Sequence, residues 1–172
     1  MATRFPGLSF LLQIIESHIH RAFNNFFIII TIFSRLPLKL RKSLSLIMKD
    51  FKKYFIIPAE RPILYKALTF KPTIELWTGA PAVFEKEPGT EFSMWDESIQ
   101  GKNLEFVEDE LIRQQWYFGE DSVDSIVTIK LHDDKKGTSM EIRHTNIPDE
   151  AYKDIAAGWS QVYIRELISF FS

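Results

Sequence analysis

The sequence predicts an α+β protein, in which antiparallel strands that follow one another in the chain pack against one long C-terminal helix. Two patterns carry this reading. Between about residue 82 and residue 146, apolar and polar side chains alternate in short runs separated by Gly, Pro and acidic turn residues. From Tyr152 onward the period changes: Tyr152, Ile155, Trp159, Val162, Tyr163, Leu167 and Phe170 recur at three- and four-residue steps. That spacing puts one apolar stripe on a helix of about six turns. Strands in sequence with a closing helix make an α+β fold.

Lys52–Ile57 reads as a strand that Pro58 ends, because proline has no N–H to give to a ladder. Glu60–Leu68 reads as a short helix that tolerates Pro62 only in its first turn. Pro72 lets a second short helix, Thr73–Trp77, begin, and Gly79 closes it. Strands are expected at 82–86, 90–95, 98–107, 110–118, 122–132 and 137–146. The turns between them are marked by Pro88-Gly89, Asp96-Glu97, Glu108-Asp109, Gly119-Glu120 and the stretch from Asp133 to Gly137. Pro148 stops the last strand, and Asp149 suits the N-cap or the first turn of the long helix, where negative charge is favoured. Gly158 lies inside that helix at a cost of roughly 1 kcal/mol against alanine. Its presence beside Trp159 predicts a close packing contact there.

Period-2 alternation says which side chains face the helix. Ile112, Gln114, Trp116 and Phe118 share one face; Ser125, Val127, Ile129 and Leu131 share another; Met140, Ile142 and His144 share the third. The expected interior is apolar and aromatic, with Gln114, Ser125 and His144 as its few polar groups. An apolar concavity with a few convergent polar groups is the usual form of a small-molecule site. His144 reads either as a structural hydrogen-bonding histidine, as a ligand contact or as a proton-transfer group. Trp77, Trp116 and Trp159 read as core rings, and Trp95 has the opposite parity to Phe92 and Met94 and is expected on the outer face. The acidic pairs Asp96/Glu97, Glu108/Asp109/Glu110 and Asp133/Asp134 fall in turns and are expected to face solvent.

The 172 residues fit one domain and an extension. The chain has no cysteine, which excludes disulfides and thiolate metal sites. Its net charge of −2 divides unevenly: residues 1–47 carry six basic side chains and Glu16, for +5, and residues 48–172 carry 15 basic and 22 acidic, for −7. So acidic a domain argues against nucleic acid as its partner. In the extension, the apolar runs 8–15 and 26–33 are each too short for the roughly 20 residues that cross a bilayer. Three readings stand for it: a segment outside the working protein, with translation beginning at Met48; an anchor on a membrane surface through Arg35, Lys39, Arg41 and Lys42; or a membrane insertion or sorting signal. No nucleophile elbow or phosphate-binding glycine loop occurs, and His18, His20, His132 and His144 form no metal constellation, so neither a cofactor nor a metal is expected.

The run HTNIPDE…AAGWSQVYIREL resembles the C-terminal signature of the proteins related to the activator of Hsp90 ATPase, members of the Bet v 1/START-like superfamily. The segments Phe55–Thr69, Ile74–Gly79, Gly89–Val107 and Ile112–Phe118 resemble its earlier elements in order, so the similarity covers Met48 to Phe171. The resemblance implies a helix-grip fold, a curved antiparallel sheet around the long helix, in residues 48–172. It implies two kinds of function. One is a binding module holding a hydrophobic small molecule between sheet and helix, with Trp77, Gln114, Trp116, Ile142, His144, Trp159 and Tyr163 as pocket candidates. The other is a co-chaperone-like module docking on an Hsp90-type ATPase, although residues 1–47 contain nothing like the activators' separate stimulatory domain. A small cavity enzyme using His144 is the third alternative. A cytoplasmic location is expected, and a membrane enters only through the extension.

Overall fold

A computed structural model describes residues 48–118 and 124–172; residues 1–47, the turn at Gly119-Glu120 and the start of the 122–132 strand lie outside the described residues. Strand β1 (Met48–Ile57) leads into helix α1 (Arg61–Thr69) and helix α2 (Lys71–Thr78). Then come β2 (Glu91–Met94), β3 (Ile99–Val107), β4 (Leu111–Trp116), β5 (Ser125–Asp134) and β6 (Gly137–Pro148). The chain closes with α3 (Asp149–Gly158), a π-helical turn (Trp159–Tyr163) and α4 (Ile164–Phe170). Apart from the 82–86 strand, the expected order of elements is present, and the proline logic holds. Pro62 and Pro72 each stand in the first turn of their helix, where a missing N–H loses no helical bond. Gly79 ends α2 at φ 67°, in the left-handed region that suits glycine.

All six strands form one antiparallel sheet in the order β1-β6-β5-β4-β3-β2. The first strand therefore lies beside the last, and α1 and α2 span the distance to β2 at the opposite edge. Register turns the sequence periodicity into rows across the sheet. Phe51, His144, Val127, Gln114 and Asn103 are successive partners, and all five are buried. One row nearer the strand ends, Gly101 faces Trp116, which faces Ser125. Glycine is required at 101, since a Cβ there would lie 2.0 Å from the Gln115 carbonyl and 2.8 Å from the Phe92 ring.

Three local expectations are corrected. The 82–86 strand is a single bridge, Val83 to Ser93. The Glu85 carbonyl accepts from side chains instead, Asn103 Nδ2 at 2.9 Å and Thr90 Oγ1 at 3.1 Å, which removes the need for a neighbouring strand. Of the two places open to Asp149, the structure takes the first turn of α3, where it pairs with Lys49, while Pro148 holds the cap position without a side-chain cap. Nothing approaches Gly158: a Cβ there would meet open space.

The third correction concerns the long helix, which is not α throughout. Ala151, Ile155, Trp159, Tyr163 and Leu167 are buried at strict four-residue steps. Such steps overshoot an α turn by roughly 40° each, so the stripe would wind away from the sheet. The wider π turn takes back part of that drift and keeps Trp159 and Tyr163 in line with Leu167. It also moves the stripe's end, leaving Phe170 39% exposed while Phe171 packs against the core.

Candidate functional site

Between the sheet and the long helix lies a cluster of aromatic rings. Trp159 comes down from the π turn and stacks on Trp116 of β4 at 4.8 Å between centroids, with 26° between the planes. Tyr163, one turn later, meets Trp159 at 4.7 Å and Trp77 of α2 at 5.0 Å. Trp95 closes the group, 5.2 Å from Trp77 and 5.6 Å from Tyr163, both nearly edge-on. Such separations are those of rings in direct contact, in the tilted and edge-to-face arrangements that aromatic quadrupoles favour.

The inward position of Trp95 corrects its expected outer placement. Trp95, Asp96 and Glu97 have φ of 51°, 51° and 65°, three consecutive left-handed residues without a glycine. Each costs about 1–2 kcal/mol, and together they turn the chain so that strand parity no longer applies at Trp95. Its contacts with two buried rings help offset that strain.

The polar groups beside the rings are joined in two hydrogen-bonded relays, whereas the buried Tyr65 hydroxyl has no partner among the described residues. The His144 Nδ1 accepts from Trp159 Nε1–H at 3.2 Å, which requires the proton of a neutral ring to sit on Nε2. That Nε2–H donates to Ser125 Oγ at 2.8 Å, and the Ser125 hydroxyl donates to the Thr145 carbonyl at 3.2 Å. Burial alone lowers the His144 pKa to about 3, so the ring is neutral at physiological pH. Flanked by Trp116 at 5.3 Å and Phe118 at 5.9 Å, it has no nitrogen left for a substrate or a metal. A second relay begins beside it: Trp116 Nε1–H donates to Gln114 Oε1 at 3.2 Å, Gln114 Nε2–H to Asn103 Oδ1 at 2.9 Å, and Asn103 Nδ2–H to the Glu85 carbonyl. Trp77 Nε1–H donates to the Ala67 carbonyl at 2.9 Å. Burial raises the Tyr163 phenol well above its ordinary pKa.

The seven pocket candidates are therefore neighbours in one interior. Trp77, Trp116, Trp159 and Tyr163 form the ring cluster, His144 and Gln114 bond to two of those rings, and Ile142 is fully buried next to His144's row. Trp95, expected on the outer face, and Asn103, for which the sequence offered no sign, belong to the same assembly. Asn103 sits beside a β-bulge between Asn103 and Glu105, which breaks the alternation that would have pointed to it. Among the described residues, no group of three or more His, Asp and Glu could hold a metal ion, and no helix is long and apolar enough to cross a membrane. His132 faces outward beside Glu141, as its parity predicts. Asp96, Glu97, Glu108, Asp133 and Asp134 are exposed.

A six-stranded antiparallel sheet gripping a C-terminal helix, with an aromatic interior between them, defines the helix-grip, START-like class of protein. Within that class, the chain belongs to the family of activator of Hsp90 ATPase homolog 1-like proteins, whose family model matches residues 58–172. It is similar to an activator of 90 kDa heat shock protein ATPase homolog of Dictyostelium discoideum, 32% identical over 102 residues, 58% of this chain and 27% of the relative. A mouse activator of 90 kDa heat shock protein ATPase homolog 1 is 28% identical over 114 residues, 65% of this chain and 33% of the relative. The chain thus spans about a third or less of the curated relatives it matches. Two solved structures share the fold, each with a TM-score of 0.62. One is a Mesorhizobium loti protein, 19% identical, with 70% of this chain and 95% of that one covered. The other is an HSP90 activator from Plasmodium falciparum, 21% identical, with 72% and 94% covered.

Proposed function

We propose that this chain is a chaperone-interaction module that docks on an Hsp90-type ATPase through its outer surface, in the cytoplasm. The observation that carries the reading is the mutual contact of the interior rings. With Trp116, Trp159, Tyr163, Trp77 and Trp95 packed at 4.7–5.6 Å, the side chains that would line a pocket are spent on one another. What is left to recognise a partner is the exterior, and residues 48–172 carry −7 there. Membership of the activator family and the names of the relatives support the same partner. Charge on an exposed rim acts mostly through encounter rate and salt dependence. Calorimetry with the host's own Hsp90 is the test. Binding should weaken with salt and on Asp96→Lys/Glu97→Lys, and Ile142→Val inside the core should leave it unchanged. No binding, or equal sensitivity to both changes, rejects docking.

The π turn favours a second reading, because π turns concentrate at functional sites and this one presents Trp159 and Tyr163. In that reading Trp77, Gln114, Trp116, Ile142, His144, Trp159 and Tyr163 accept a hydrophobic small molecule between sheet and helix. Native mass spectrometry of the protein from its own host reads out a retained ligand directly; a spectrum of bare protein alone rejects it.

A further inference from the structure

We propose that the π turn Trp159–Tyr163 is a hinge at which the long helix opens, parting the aromatic cluster along the contact between Trp159 and Tyr163. The backbone ladder is already altered at both ends of this turn. The Trp159 N–H is shared between the Ala156 and Ile155 carbonyls, and the Ile164 N–H reaches back five residues to the Trp159 carbonyl. Gly158 immediately precedes the turn. A Cβ there would meet nothing within 4 Å, so packing does not explain the glycine. Its backbone freedom is the property that remains.

The two sides of the turn share β1 but differ in their second partner. On the N-terminal side α3 packs on β1 and β6, held by Ala151, Ile155 and the Lys49–Asp149 ion pair. On the C-terminal side α4 packs on α2 as well as on β1, through Ile164 and Leu167. The rings divide the same way. Trp159 is tied to the sheet by its stack on Trp116 and its bond to His144. Tyr163 is tied to the α2 side by Trp77 and Trp95. Trp159 and Tyr163 meet across these halves by ring contact, 4.7 Å between centroids. On the outer side, the Lys53 ammonium donates to Ser160 Oγ at 3.2 Å in exposed surroundings, a weak strap that opening would break. A gap along this line would be flat, narrow and apolar on both walls, which suits a planar aromatic molecule. The hinge is a property of the isolated chain, so it stands or falls separately from chaperone docking.

Hydrogen–deuterium exchange on the full chain tests it. Amides 159–163 should exchange faster than those of α3 and of the first turn of α4. Gly158→Ala, which adds a methyl into open space, should slow that exchange about fivefold, the factor corresponding to the helix preference of alanine over glycine. Deleting Gln161, an exposed residue of the π turn, should slow it at least as much by restoring an α ladder. Uptake of 1-anilinonaphthalene-8-sulfonate, followed by stopped-flow fluorescence, should slow with exchange in Gly158→Ala. Even exchange along the helix, exchange that only frays in from Phe170, or probe uptake that does not change in Gly158→Ala would each overturn the hinge.

Discussion

The sheet side and the helix side of the aromatic interior are built in opposite ways. On the sheet side, Trp116, Trp159 and His144 are fixed by directional bonds: each ring nitrogen has a named partner, and strand register sets the positions of those partners. On the helix side, Trp77, Trp95 and Tyr163 meet through tilted and edge-on rings, Trp77 also donates to the Ala67 carbonyl, and Trp95 is delivered by a strained turn. The lesson is one of error tolerance. A hydrogen-bonded network in a low-dielectric interior penalises any displacement, whereas ring-on-ring packing loses contact gradually.

The strongest test of that contrast is truncation of one ring from each side. Trp159→Ala removes a buried ring and leaves His144 Nδ1 without its donor, and should cost about 3–5 kcal/mol in urea unfolding. Trp95→Ala should cost clearly less, about 1–2 kcal/mol, because the strained turn relaxes when its ring is gone. Equal losses would erase the distinction.

Acid should strike the sheet side first. The folded-state pKa of His144, about 3, is below its ordinary value of 6.5, so the neutral ring is the form that the fold favours. Its contribution is fully present above about pH 6.5 and is lost as pH falls toward 3, because the unfolded chain takes up the proton first. The slope should approach 1.4 kcal/mol per pH unit inside that window. Protonation would also point an Nδ1–H at the Trp159 N–H, donor against donor. Denaturant midpoints from pH 7 to pH 4 measure the slope, and His144→Phe should flatten it.

The second relay sharpens the comparison at smaller scale. Gln114→Ala strands the Trp116 Nε1–H and the Asn103 Oδ1 and should destabilise by about 1–3 kcal/mol, and Asn103→Ala should do the same through Gln114 and the Glu85 carbonyl. The double variant should cost less than the two single losses added, since the pair acts as one network. Smallest of all should be removal of residues 1–47. We propose that they lie outside the fold, and a chain starting at Met48 should melt within a few degrees of the full chain.

Much of this molecule could be read from the chain because its signals are local. Alternation in 112–118, 125–131 and 140–144 placed Gln114, Ser125 and His144 inside before any contact was known, and all three are buried. Where local rules were interrupted, reading failed. Three left-handed residues turned Trp95 inward, a bulge hid Asn103, and side-chain donors to Glu85 reduced an expected strand to one bridge. Gly158 misled for the same reason, since glycine in a helix marks either close packing or freedom and the sequence does not distinguish them.

The sequence by itself determined the order of the helices and sheet strands, the α+β class, the place of Pro62 in a first turn, and the inward sets of β4, β5 and β6. These follow from backbone sterics and periodicity, which act within a few residues. Tertiary structure alone decided the pairing of β1 with β6, the tautomer of His144, the π turn and the meeting of five rings from α2, β4, the π turn and the β2–β3 turn. Apart from the π turn, each of those is a contact between residues far apart in the chain, and its energy exists only once the sheet has brought them together.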